Sequence, residues 1–111
     1  MKLDTFVRDC SIEKIDLMKL DTESTEHLVI EGGYQAIKRS RPLVVCEVQP
    51  TSNQSKIHQL LDPLEYRYFW ITDQGLIRKD LIVGDPRFLD SNYLFIPQER
   101  TAELHEHNLA R

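Results

Sequence analysis

With 111 residues the chain has room for one domain and not two. Hydrophobic residues make up 41% and charged residues 29%, which permits a packed core and excludes the composition of a disordered chain. The formal net charge of −4, from 18 acidic and 14 basic side chains, argues against a nucleic-acid partner, which would ask for a basic stripe.

The start, Met1-Lys2-Leu3-Asp4, has no apolar h-region, so no signal peptide is expected. No stretch approaches the ~20 apolar residues of a membrane span. Cys10 and Cys46 are the two cysteines, and their placement suggests neither a zinc site nor a disulfide scaffold. A cytoplasmic chain with no membrane partner is the expectation. Ile15 to Asp21 reads as a buried strand, apolar and short, that ends abruptly in carboxylates. Ser24 to about Lys38 then reads as a helix interrupted near Gly32-Gly33, because adjacent glycines are poor helix formers. Lys38, Arg39 and Arg41 read as a solvated, cationic helix end that complements the helix dipole. Pro42 closes the segment, and Leu43 to Val48 is a second buried strand rich in β-branched residues. Within it Cys46 reads as a small buried hydrophobe.

Pro50-Thr51-Ser52-Asn53 carries loop and helix-cap chemistry. Ile57, Leu60, Leu61 and Leu64 recur at i, i+3, i+4 and i+7, the face of a short amphipathic helix. Tyr66 to Thr72 is an aromatic-rich third strand, in which Tyr66, Tyr68, Phe69 and Trp70 read as core rather than as a stacking platform. Asp73-Gln74-Gly75 predicts a turn, returning through Leu76-Ile77-Arg78. Asn92 to Pro97 is the last strand, and Gln98 to Arg111 reads as a polar tail or frayed helix. Residues 1–97 are thus expected to form an α/β domain and residues 98–111 a tail. Strands alternating with helices predict a mostly parallel sheet. Right-handed crossovers place both helices on one of its faces. Parallel sheets are normally covered on both faces, so the chain reads as half a domain with one face bare.

At these residues the chain resembles the FkbM-type S-adenosylmethionine-dependent methyltransferases. Leu3-Asp4-Thr5-Phe6 is similar to the family's Leu-Asp-x-Phe element. Lys19, Asp21, Glu23 and Glu26 match its Lys-x-Asp-x-Glu-Gly-x-Glu signature, with Ser24 in place of the glycine. Ile30-Glu31-Gly32 and Arg41-Pro42 through Glu47 match the elements that follow. The resemblance covers Leu3 to Glu47, and the remainder only by element order. It implies the C-terminal half of a Rossmann-like class I methyltransferase fold, with a mostly parallel sheet and a final antiparallel strand. The strand that carries the glycine-rich cofactor loop has no counterpart in this sequence. The implied cofactor is S-adenosylmethionine, which this chain alone is not expected to bind tightly. The implied acceptor is a small-molecule or glycan hydroxyl.

Asp21 and Glu47 would end adjacent parallel strands, where α/β proteins place their ligands. Such a pair serves as a general base for a hydroxyl or as oxygen ligands for a hard cation. The resemblance assigns Asp21 and Glu23, with Glu47, to the catalytic cleft, and Lys19 and Glu26 to the substrate side; no metal ligand set is assigned. The plainer reading of such carboxylates is helix N-terminal decoration. Lys19, in a strand read as buried, would need a carboxylate partner. His27 reads as a solvated helical histidine, and His105-Glu106-His107 fits no standard zinc spacing. Two function classes follow: an O-methyltransferase completed by a missing N-terminal half, or a non-catalytic remnant that pairs with another chain or with itself through an unpaired strand edge.

Overall fold

A computed structural model describes residues 2–22, 25–50, 53–87 and 90–106, with no account of the side chains of residues 105 and 106. Its elements in chain order are α1 (Leu3–Asp9), β1 (Leu17–Leu20), α2 (Glu26–Gly32), α3 (Tyr34–Ser40), β2 (Leu43–Glu47), α4 (Asn53–Leu61), β3 (Tyr66–Thr72), β4 (Gly75–Lys79), β5 (Asn92–Pro97) and α5 (Ala102–Glu106). The interrupted helix is present as α2 and α3, which break at Gly33. A Cβ on Gly33 would stand 2.5 Å from Leu3 Cδ2, so the bare backbone there admits α1 against the joint.

The five strands form one sheet in the order β1-β2-β5-β3-β4. β1 and β2 are parallel, whereas β2–β5, β5–β3 and β3–β4 are all antiparallel. The expectation of a mostly parallel sheet is therefore corrected. The last long strand, β5, does run antiparallel, but it inserts between β2 and β3 instead of adding at an edge. One reversed interior strand converts two pairings, and the tight β3–β4 hairpin adds a third.

Strand alternation sorts the side chains onto two faces. Met18, Leu20, Val44, Cys46, Tyr66, Tyr68, Tyr93 and Phe95 share a core with Ile30, Ile37, Ile57 and Leu61 from α2, α3 and α4. All three of these helices thus lie on one face. On the other face a smaller cluster joins Phe69 and Ile96 to Leu104 of α5, with Leu43, Leu76 and Leu94 partly buried around it. Towards β1 this face is open among the described residues, and Leu17 is 61% exposed.

The aromatic strand lies in the core as its pattern suggests, with Tyr66, Tyr68 and Phe69 all buried. Tyr66 donates to the Pro42 carbonyl at 2.7 Å. Within the segment read as a polar tail or frayed helix, α5 forms and Leu104 is buried against the sheet. Glu99 accepts a two-pronged hydrogen bond from Arg41, with Nε at 2.9 Å and Nη2 at 2.7 Å. Arg41 also donates to the Leu64 carbonyl and stacks over the Tyr66 ring. It is a cross-brace and not a solvated helix end. Arg41 adopts φ 52° at the C-cap of α3, a turn that aims its side chain back over the sheet.

Candidate active site

Leu20 of β1 pairs with Cys46 of β2, so the next residues, Asp21 and Glu47, leave the C-terminal ends of two parallel strands side by side. Asp21 is exposed and Glu47 half-buried. Asp21, beside Glu47, raises its pKa. Gln49 works against that rise by donating Nε2 to Glu47 Oε1 at 2.9 Å, while burial and the charges of Asp21 and Glu26 add to it. Asn92 of β5 lies directly across from Glu47 in the antiparallel ladder. The neighbouring bond, Val48 N–H to the Ser91 carbonyl at 2.7 Å, fixes that register just past the end of β2.

The loop after β4 backs this corner. Gly84 meets the Gln49–Pro50 backbone so closely that an added Cβ would lie 2.3 Å from the Pro50 nitrogen. Its N–H donates to Gln54 Oε1 at 2.7 Å. Tyr93 holds the same loop by donating to the Val83 carbonyl at 2.7 Å and accepting from the Val83 N–H at 3.2 Å. Asp85 closes the loop by accepting from the Arg87 side chain and from the Arg87 and Asp90 N–H groups. Those donors hold its carboxyl far below the usual carboxylate range, the Arg87 side chain most of all.

The remaining residues singled out from the sequence fall differently. Lys19 is exposed, on the open face of the sheet, and makes no ion pair among the described residues. The expected buried lysine with a carboxylate partner is thus corrected, because β1 is covered on one side only. Glu23 and Ser24 lie outside the described residues. Glu26 is 1% exposed. Its Oε2 accepts from the Thr22 N–H at 2.6 Å and from Thr22 Oγ1 at 3.1 Å, and its Oε1 accepts from Asn53 Nδ2 at 3.1 Å. His27 is half-buried rather than solvated, with Nδ1 2.5 Å from Asn53 Oδ1. His107 and the side chains of His105 and Glu106 lie outside the description. Cys46 is fully buried, and desolvation pushes its thiol pKa up, as befits a packing residue.

Asn53 and Gln49 emerge from the structure as parts of the site. The sequence showed Asn53 only as cap chemistry, and it gave Gln49 no distinguishing signal. Among the described residues, no group of three or more histidine, cysteine, aspartate or glutamate side chains is arranged to hold a metal ion. No described helix is long and apolar enough to cross a membrane.

A short α/β chain with paired carboxylates at the ends of its parallel strands has the layout of one side of a doubly wound ligand cleft. The family comparison is more specific. The model of the methyltransferase FkbM domain matches residues 1–69, and the chain belongs to that family. No curated protein and no solved structure matches the chain. Family membership implies dependence on S-adenosylmethionine. The glycines of this chain do not make a cradle for that cofactor: Gly32 and Gly33 join α2 to α3, Gly75 begins β4, and Gly84 packs on Pro50. None of them follows a parallel strand, where a backbone cradle for a nucleotide is built.

Proposed function

We propose that this chain forms the acceptor side of an FkbM-type O-methyltransferase, in which Asp21 and Glu47 act together as the general base. The observation that carries this reading is the side-by-side placing of Asp21 and Glu47 at the ends of β1 and β2. A hydroxyl oxygen must lose its proton as it takes up a methyl group, and a carboxylate within hydrogen-bond reach accepts it. Asp21, beside Glu47, raises its pKa, the direction that favours proton transfer near working pH. S-adenosylmethionine supplies the methyl group in this family, and the cradle for it would come from residues other than those described. The acceptor is a small molecule or glycan bearing a hydroxyl. The family signature assigns Lys19 to substrate contact and Glu23 to the catalytic set.

The test grafts residues 1–97 in place of the corresponding part of an active FkbM-family enzyme and follows transfer of a labelled methyl group to its hydroxyl acceptor. The chimera is expected to turn over, with Asp21→Asn and Glu47→Gln each lowering kcat by about 10²-fold or more, as befits loss of a general base. Wild-type rates in both variants would refute the assignment. Calorimetric titration of the chain alone with S-adenosylmethionine is expected to show no micromolar binding.

A second reading, pairing with another chain in place of catalysis, is favoured by the exposure of Leu17 on the open face of the edge strand β1. Light scattering that finds a monomer at high concentration, with no dye binding to apolar surface, would count against it.

A further inference from the structure

Asp21 opens the connection that leaves β1, whereas Glu47 is the last residue of β2, just before the connection that leaves it. Parallel pairing ends at Leu20 and Cys46, so the β2–β5 ladder holds Glu47 opposite Asn92 while no ladder pair holds Asp21. A buried side-chain chain does cross between the connections. Glu26 takes both the N–H and the hydroxyl of Thr22, the residue directly after Asp21, on one oxygen. Its other oxygen takes Asn53 Nδ2, at the start of α4, six positions after Glu47. Asn53 then uses Oδ1 to accept from the His27 N–H at 3.1 Å and from His27 Nδ1. With its amide oriented this way, Nδ1 must carry the hydrogen. Glu26 and Asn53 are 1% and 2% exposed, so neither is placed to touch an acceptor molecule.

We propose that Glu26 and Asn53 are positioning residues: a buried clamp that ties the exit of β1 to the start of α4 and so holds Asp21 against Glu47. This rests on the reading that the carboxyl pair is the reactive element, and it moves Glu26 from substrate contact to positioning. A carboxylate spends its acceptor capacity on directed donors here, and buried networks of this kind fix geometry when every member is satisfied. The pattern can be reversed without being broken. In Glu26→Gln with Asn53→Asp, the new amide keeps an oxygen for Thr22 and donates to the new carboxylate. That carboxylate still accepts from His27.

The experiment is a carboxylate-resolved NMR titration of the full chain, following Glu47 in the wild type, Asp21→Ala, Asn53→Ala and the Glu26→Gln/Asn53→Asp exchange. The groups facing Glu47 are Asp21 at the end of β1, Glu26 on α2, Gln49 after β2 and Asn92 on β5, with Lys19 on the same sheet face. Asp21→Ala marks the midpoint of an unpaired Glu47. Asn53→Ala leaves position 26 a glutamate yet is expected to bring Glu47 down to the Asp21→Ala midpoint. The exchange is expected to restore the wild-type midpoint. Should Asn53→Ala fail to fold, the exchange decides: a folded variant with the wild-type midpoint supports the clamp. One with the Asp21→Ala midpoint, or one that does not fold, overturns it. A wild-type midpoint in folded Asn53→Ala overturns the clamp alone. Identical midpoints in wild type and Asp21→Ala would overturn the clamp and the carboxyl pair together.

Discussion

Gly84→Ala tests how tightly the loop after β4 supports the site. The added methyl carbon would lie 2.3 Å from the Pro50 nitrogen, 2.5 Å from the Gln49 carbonyl carbon and 2.7 Å from Pro50 Cα. All three are backbone atoms, so no side chain can swing aside, and either the 84 loop or the Gln49–Pro50 segment must move by about 1 Å to restore ordinary contact. Overpacking of this kind costs about 1–3 kcal/mol. The displaced loop also puts at risk the Gly84 N–H bond to Gln54, at about 1 kcal/mol. The sum is about 2–4 kcal/mol, or a fall in Tm of about 8–16 °C at about 4 °C per kcal/mol for a chain of this size. Gly32→Ala is the matched control. Its Cβ meets nothing nearer than Lys2 Cβ at 3.4 Å, and it sits in the last turn of α2. There alanine is expected to be neutral or to stabilise by up to about 1 kcal/mol. Urea and thermal unfolding of the two variants would settle the matter. Equal stability of Gly84→Ala and Gly32→Ala would refute the claim that the 84 loop is wedged against the Glu47 connection.

Asp4 accepts the Gln35 N–H at 3.1 Å and the Ala36 N–H at 2.8 Å, so it caps the start of α3 from a different helix. Asp4→Ala is expected to cost about 1 kcal/mol in urea unfolding, and Asp4→Asn less. Arg41 holds the Glu99 carboxyl down to about 2 from an ordinary 4.5. The folded pKa is depressed, so this stabilisation is present above about pH 4.5 and is lost as pH falls towards 2. The stability difference between wild type and Glu99→Gln should shrink over that window from about 0.5–1 kcal/mol, the scale of a partly exposed pair; a pH-independent difference would refute it. Glu47 has the opposite sign: its folded pKa is raised, so its contribution is present in acid and lost as pH rises through the raised value. Thiol labelling of the native chain should modify exposed Cys10 and spare buried Cys46 until the chain unfolds.

The sequence by itself determined the order of elements from β1 to β5, the helix break at the glycines, the burial of the aromatic strand and the family to which the chain belongs, but it did not show the helix α1 at Leu3–Asp9. These are local or patterned properties, written in periodicity, glycine and proline placement, and spaced charges. It also placed Asp21 and Glu47 at strand ends, because an apolar run that stops in a carboxylate says where a strand finishes. Only the tertiary structure decided that β5 runs between β2 and β3, which makes most pairings antiparallel; strand insertion depends on the whole sheet and leaves no mark on the strand inserted. Only the structure distinguished the fates of the charged residues. Lys19 and Glu26 belong to the same spaced signature, yet one stands exposed on an uncovered sheet face and the other is buried under Asn53. A carboxylate's partner can lie 27 residues away, as Asn53 does from Glu26, and no pattern within the signature itself encodes which distant donor will arrive.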